Sequence, residues 1–326
     1  MLRAFVTGAT GFIGGWVARR LLERGYSLTC LVRTPSSAAA RQLQVQGATL
    51  VQGDITQADT MGAAMAGADV VFHIAGWYRV GVCDVAPALP TNVQGTRNVL
   101  QLAHQLDIPN IVYTSAAAAL GNTYGRIVDE GHRRAAPFVT EYTRTKYMAL
   151  EIAEEWVARG APIRIVMPGG VYGPGDHSVL ALFLRAFLRG RLPIVVGADS
   201  GMTLVHVEDV AEGHILAAER GQPGKYILAG PCLTYGEMLS RIAQIARRRP
   251  PLFISSWPIP ALIQLARLAN RLFPLPPTLH PETLQGMNRV TFFVTSARAQ
   301  RELGWGCRPL EQGLGETVAW EMESNL

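Results

Sequence analysis

Tyr142-Thr143-Arg144-Thr145-Lys146 sets a phenol and an ammonium four residues apart at the head of a helical pattern. On a helix those two side chains share a face. An ammonium there lowers a phenol's pKa from about 10 by favouring the phenolate. The pair then reads as a tyrosine acid/base tuned by a lysine. The choice of lysine is informative, because Lys146 and Lys225 are the only lysines among the 30 Lys+Arg residues. Arginine's planar fork and diffuse charge do not replace a compact, three-donor ammonium. Taken alone, the pentapeptide fits a solvated amphipathic helix more simply. The start of the chain changes that.

Phe5-Val6-Thr7 is strand-like, Gly8, Gly11 and Gly14 follow at intervals of three, and Ile13, Val17, Leu21 and Leu22 open a helical face. Such a junction gathers free N–H groups at the positive end of a helix dipole, which suits a pyrophosphate. Gly8 permits the tight turn, Gly11 lets the backbone approach the phosphates, and Gly14 lets helix and strand pack closely. With Thr10, Phe12 and Ile13 they form the expected dinucleotide cradle. Its spacing, G-x-x-G-x-x-G, differs from the commoner G-x-G-x-x-G.

Other candidates fall just past strand-like runs. Arg33 follows Leu28–Val32; an acidic residue there would hold a ribose 2′-OH, whereas arginine accommodates a 2′-phosphate. Arg33, helped by Arg41, therefore favours NADP(H) over NAD(H). Asp54 and Ile55 follow Thr49–Val51, where the carboxylate suits an adenine amine or, more plainly, caps a helix. Ala75 and Gly76 follow Val70–Ile74 and leave room for a cofactor. Ser115 ends the strand-like run Ile111–Ser115. Pro168, Gly169 and Val171 follow Ile163–Met167 in a turn-rich loop. His73, inside an apolar strand, reads as a satisfied core histidine. Asn92 reads as a helix N-cap, or as a holder of active-site backbone or a water.

Strands alternating with helices at this spacing predict an α/β fold, a right-handed, doubly wound parallel sheet. Ligands of such sheets lie beyond the strands' C-terminal ends, where Gly11, Arg33, Asp54, Ala75, Ser115 and Pro168 all fall. The rhythm breaks near residue 175. A dinucleotide-binding unit over 1–175, with returning segments at 204–230, and a smaller, mostly helical substrate lobe from 176–203 and 231–326 are expected.

A chain of 326 residues, 48% hydrophobic and 17% charged, can bury a large core. Its net charge of +5 is scattered arginine, with Arg247-Arg248-Arg249 the densest cluster, so nucleic-acid binding is not expected. Cys30, Cys83, Cys232 and Cys307 form no C-x-x-C pair and read as reduced thiols of a cytoplasmic protein without a metal site. No signal peptide or membrane span is expected. Ile259–Phe273 patterns as an amphipathic helix packed in the lobe, with a greasy-substrate or membrane surface as the minority reading.

With the glycine turn, Asp54, the strand-five serine, Tyr142-x-x-x-Lys146 and Tyr172-Gly173-Pro174-Gly175 in register, the chain resembles the extended short-chain dehydrogenase/reductases of the NAD-dependent epimerase/dehydratase superfamily. Arg33, Thr114-Ser115 and Phe293-x-x-Ser296-x-x-Ala299-x-x-Glu302-Leu303-Gly304-Trp305 look most like the dihydroflavonol-4-reductase-like branch. Within it the whole chain is similar to the bacterial hopanoid-associated sugar epimerases. The resemblance implies that Tyr142 exchanges a proton with a carbonyl or alcohol oxygen while Lys146 bonds the nicotinamide ribose. It also implies dimerisation through helices around 92–106 and 142–159. One departure stands out. The family's third strand-five hydroxyl, which polarises the carbonyl, is Ala116 in this chain, leaving Ser115, Thr140 or Tyr172 as substitutes or a weaker polarisation of the carbonyl.

The first expectation is an NADP(H)-dependent oxidoreductase acting on a small sugar-like, polyol-like or flavonol-like substrate. The alternatives are a nucleotide-sugar epimerase or dehydratase with tightly held NAD(P), and a non-enzymatic NADP-sensing protein.

Overall fold

In the computed structural model, which describes residues 1–134 and 137–324, the strand and helix patterns resolve into alternating elements. The first half of the chain runs β1 Arg3–Thr7, α1 Phe12–Glu23, β2 Ser27–Val32, α2 Ala38–Val45, β3 Thr49–Gln52, α3 Gly62–Met65 and β4 Val70–His73. It continues through α4 Gly95–Gln105, β5 Ile111–Thr114, α5 Glu141–Ala158 and β6 Ile163–Pro168. Next come β7 Gly170–Tyr172, α6 Val179–Leu188, β8 Ile194–Val196, β9 Gly201–His206, α7 Val207–Arg220 and β10 Gly224–Leu228. The rest comprises β11 Cys232–Thr234, α8 Tyr235–Ile245, β12 Leu252–Ile254, α9 Ile259–Leu272, α10 Pro281–Gly286, β13 Thr291–Phe292, α11 Ala297–Leu303 and α12 Leu310–Ser324.

The main sheet is seven-stranded in the order β10-β6-β5-β4-β1-β2-β3. Every pairing in it is parallel. The order reverses between β1 and β4, so the crevice at that switch point opens above the glycine turn. Alternation along the strands sends side chains to two cores. Val6, Phe72, Val112 and Val166 meet α1 and α7 through Val17, Leu21, Val210 and Ile215. Phe5, Val71, Ile111 and Ile165 meet α4 and α5 through Val99, Leu100, Ala149 and Ile152.

The expected return of 204–210 to this sheet takes another form. β9 instead joins β11, β13 and β7 in a small second sheet, and only β10 extends the large one. β7 starts two residues beyond β6 and pairs with β9 from Gly170 to Tyr172, which draws β9 away. Residues 207–210 begin α7 rather than continuing a strand. A third core, with Leu184, Leu188, Leu239, Ile242, Ile263 and Leu314, holds α6, α8, α9 and α12 together as the lobe.

Candidate active site at the sheet edge

Gly8 takes φ +81°, and a Cβ there would stand 2.5 Å from the Ala75 nitrogen. A Cβ on Gly14 would overlap the Gly8 carbonyl. Only glycine lets β1 turn this sharply into α1 against the end of β4. Gly11 caps α1 without a side-chain acceptor, and no acidic residue lies in the first turn. The N–H groups behind Phe12 and Ile13 therefore face outward at the positive helix end. Thr10 is exposed beside them. The Phe12 ring lies 4.0 Å from the Cβ position of Gly175, joining the turn to the loop after β7.

Arg33 leaves the end of β2 exposed, and Arg41 is exposed on α2. Asp54 closes a turn rather than capping a helix: its Oδ1 accepts from the Thr56 N–H at 2.9 Å and hydroxyl at 2.8 Å. Ile55 is buried and packs on Gly95 at the head of α4. Pro168 ends β6 in the core. The Gly169 N–H donates to the Leu228 carbonyl at 3.0 Å. Val171 packs against the core under α1.

Thr140 and Thr143 form a reciprocal capping box that starts α5 at Glu141. Lys146, one turn beyond Tyr142, is buried, and its Nζ donates to the Thr114 carbonyl at 2.6 Å. It also lies 5.1 Å from the Tyr113 ring centroid. Burial lowers its pKa to about 7. Tyr142 is half-buried, and burial followed by the Tyr113 phenol pushes its own phenol above the ordinary range. The downward tuning expected from Lys146 is therefore absent from the polypeptide's own contacts. The ammonium is spent on a backbone carbonyl.

Asn92 lies in a single π-helical turn, Pro90–Gln94, that runs straight into α4. It is no N-cap. Its Oδ1 accepts from the Trp77 N–H at 2.7 Å, and its Nδ2 donates to the Trp77 carbonyl at 3.0 Å and to Thr145 Oγ1 at 2.9 Å. Asn92 thus pins the segment after β4 against α5. The Cβ position of Gly76 lies 3.2 Å from Asn92 Oδ1 and 3.9 Å from Lys146 Nζ. His73 is the satisfied core histidine, between the hydroxyls of Thr7 at 2.8 Å and Thr96 at 3.1 Å. Burial and then the Lys146 charge depress its pKa to about 3.

The Ser115 and Tyr113 hydroxyls are buried with no hydrogen bond of good geometry among the described residues. Of the substitutes for Ala116, Tyr172 points the wrong way: its hydroxyl lies against Gly313 on α12. Thr140 is occupied in the capping box. Ser115 is left.

Two participants escaped the sequence reading. The Tyr78 ring meets Tyr142 edge-on, with centroids 4.7 Å apart. Glu282 of α10 accepts from the Glu141 N–H at 2.6 Å with one oxygen and from the Gly81 N–H at 3.1 Å with the other. Tyr78 sits in a loop without periodicity. Glu282 had no local signal at all.

A turn shaped for a diphosphate and a Tyr-x-x-x-Lys helix thus share one sheet edge, and residues 4–230 match the model of the NAD dependent epimerase/dehydratase family. The chain belongs to that family. Its relatives include a protein described as a putative dihydroflavonol 4-reductase from Synechocystis sp., 31% identical across 97% of this chain and 93% of that one. A 4-hydroxy-2-methyl-3-oxo-4-farnesyl-3,4-dihydroquinoline-1-oxide ketoreductase from Stigmatella aurantiaca is 33% identical over 69% of this chain and 66% of its own. The crystal structure of gox2253 superposes with TM-score 0.83 over 99% of this chain and 98% of that one, at 34% identity. The protein is accordingly an NAD(P)-dependent enzyme of the extended short-chain dehydrogenase type. The residues present fit such a dinucleotide: a Cβ at Gly8 or Gly14 would strike backbone, so the turn packs tightly, and the first turn of α1 beyond it carries neither a side-chain cap nor an acidic residue.

Proposed function

We propose that this enzyme is a cytoplasmic NADP(H)-dependent oxidoreductase that reduces a ketone, or oxidises the matching secondary alcohol, with Tyr142 as acid/base. The convergence at Gly76 carries this reading. One residue before it, Ala75 abuts the glycine turn, and Gly76 itself faces Asn92 and Lys146. A dinucleotide following that path would reach the Tyr142 helix. When bound, it supplies or accepts the hydride.

The backbone of Gly8, Thr10, Gly11, Phe12, Ile13 and Gly14 would hold the diphosphate, Arg33 and Arg41 the 2′-phosphate, and Asp54 beside Ile55 the adenine. Ala75, Gly76, Pro168, Gly169 and Val171 would border the nicotinamide end, with Lys146 on its ribose. Burial keeps the Tyr142 phenol protonated near neutral pH, the form that must give its proton to a carbonyl oxygen. The Lys146 charge would then stabilise the phenolate left behind. We assign the Ser115 hydroxyl, buried beside the Tyr113 phenol at the end of β5, to the carbonyl oxygen in place of the family's third hydroxyl.

The lobe of residues 176–203 and 231–326 would complete the substrate site. Tyr78, against Tyr142, gives it an aromatic wall. That wall suits a flat or greasy ketone, flavonol-like rather than polyol-like, as does the ketoreductase relative's farnesylated substrate.

Incubating the protein with NADPH and a panel of aryl and prenyl ketones should give ketone-dependent NADPH consumption. Arg33→Ala should weaken NADPH binding about 10- to 100-fold, the scale of one charge-assisted contact, and leave NADH binding within a few-fold. Equal losses for both nucleotides would end the NADP assignment. A purified protein that retains its dinucleotide and shows no net consumption would point to an epimerase or dehydratase instead.

A further inference from the structure

We propose that α9 is a docking surface for an anionic lipid bilayer, lying in the plane of the interface. The helix is apolar on two opposite faces. Ile259, Ile263 and Ala266 are buried and pack into the lobe. Trp257, Ala261, Leu265, Leu268 and Leu272 recur every three or four residues, which at about 3.6 residues per turn puts them on one line opposite the buried face. That line faces solvent: Trp257, Leu265, Leu268 and Leu272 are 72%, 63%, 59% and 77% exposed. Phe273, just past the helix, is exposed too. A contiguous stripe of this kind marks an interaction site, unlike scattered surface leucines.

The charges around it choose the partner. Between Glu237 and Glu282 the chain contains no aspartate or glutamate, yet it carries Arg241, Arg247, Arg248, Arg249, Arg267 and Arg271. Arg241 pairs with Glu311. Arg267 and Arg271 stand one position ahead of Leu268 and Leu272, so they line one edge of the stripe. Arg247, Arg248 and Arg249 are exposed just ahead of β12, which leads into α9. A second copy of the chain joined through this face would bring arginines against arginines. An anionic bilayer complements them, with leucine, tryptophan and phenylalanine entering the acyl boundary and guanidiniums meeting the headgroups. Among the described residues no helix is long and apolar enough to cross a membrane, so the contact is peripheral. Through its opposite, packed side the helix adjoins the candidate substrate site. Asn270 of α9 contacts Cys83, and Gly81 in the same loop meets Glu282 just beyond α9.

The full-length protein, without substrate or nucleotide, is sedimented with vesicles of phosphatidylcholine alone or mixed with phosphatidylglycerol. It should bind the mixed vesicles at least about tenfold more tightly and be released by salt. Leu265→Glu with Leu268→Glu should lower that binding by at least about tenfold, and Arg271→Glu by several-fold, with melting temperature and circular dichroism unchanged. Trp257 emission should shift to the blue on binding, a signal lost in Trp257→Phe. Three results would overturn the proposal: no binding to the mixed vesicles, binding unaltered in the leucine variant, or a wild-type dimer that this variant makes monomeric without any vesicle binding. The last result would give the face to a second copy.

Discussion

The burial of Lys146 can be read from its titration. In the fold the amine is buried and its pKa falls to about 7; in the unfolded chain it stays near 10.4. Between those values the unfolded chain binds the extra proton, so stability rises with pH across that window, and below about 7 the full penalty of the buried charge is carried. Lys146→Met removes this titration. Its stability relative to wild type should therefore be greatest near pH 7 or below and should decline steadily toward pH 10 in urea melts. A pH-independent difference would mean that the amine is not strained by burial. Catalysis should respond to the neighbouring hydroxyl. Ser115→Ala should lower kcat/KM by about 10²–10³, the scale of one lost oxyanion donor. Ala116→Ser should change it little. The reverse pattern would return the role to position 116. At this scale the sequence placed Tyr142 and Lys146 on one helix and Arg33 and Asp54 just past strand ends, because those patterns are local. It did not reveal that Lys146 is tied to Thr114, since that contact depends on how α5 seats on β5.

The elements that matter most are joined by one side chain from far along the chain. Glu282 places a carboxylate at the N-terminus of α5, where the helix dipole favours it, and its other oxygen holds the loop after β4. Gly81 takes φ +72°, and a Cβ there would run into the Pro277 carbonyl, so the loop is seated directly on the lobe. Glu282→Ala should loosen both ends. We expect faster proteolysis between residues 77 and 90 and a drop of about tenfold in kcat/KM, with NADPH affinity unchanged. Glu282→Gln, which keeps one acceptor, should recover part of the loss. Equal proteolysis rates in wild type and Glu282→Ala would remove the clamp. Strands β1 to β6 could be read from sequence because each is a local apolar run between turn signals. The destination of β9 could not. Leu204–His206 has a strand's pattern, but β7 pairs with it, while β11 and β13 pair with the earlier part of β9, Gly201 to Thr203. Of the two readings of Asn92, the structure keeps the holder of backbone, at Trp77, and the π-helical turn running into α4 removes the cap.

Across the whole molecule, the lobe is held together just beyond where the chain leaves β7. Arg185 of α6 makes a two-pronged pair with Glu321 of α12, each bond 2.8 Å, and also donates to the Asp176 carbonyl at 2.5 Å. The Glu321 side chain is 1% exposed. Glu321→Ala leaves a guanidinium with little water and should cost about 3–5 kcal/mol in equilibrium unfolding. A cost under about 1 kcal/mol would show that the lobe does not rely on this pair. The alternating pattern made the large sheet foreseeable from sequence, and the break near residue 175 announced the lobe. The lobe's internal wiring stayed hidden because residues such as Arg185 and Glu321 lie 136 positions apart. In the proposed reaction Tyr142, beside a dinucleotide resting on the glycine turn, moves the proton during hydride transfer. Its most direct test compares wild type and Tyr142→Phe by NADPH titration calorimetry and by single-turnover reduction of a ketone substrate. Nucleotide affinity should stay within about twofold while turnover falls by about 10²–10⁴; turnover that survives the substitution would contradict the account.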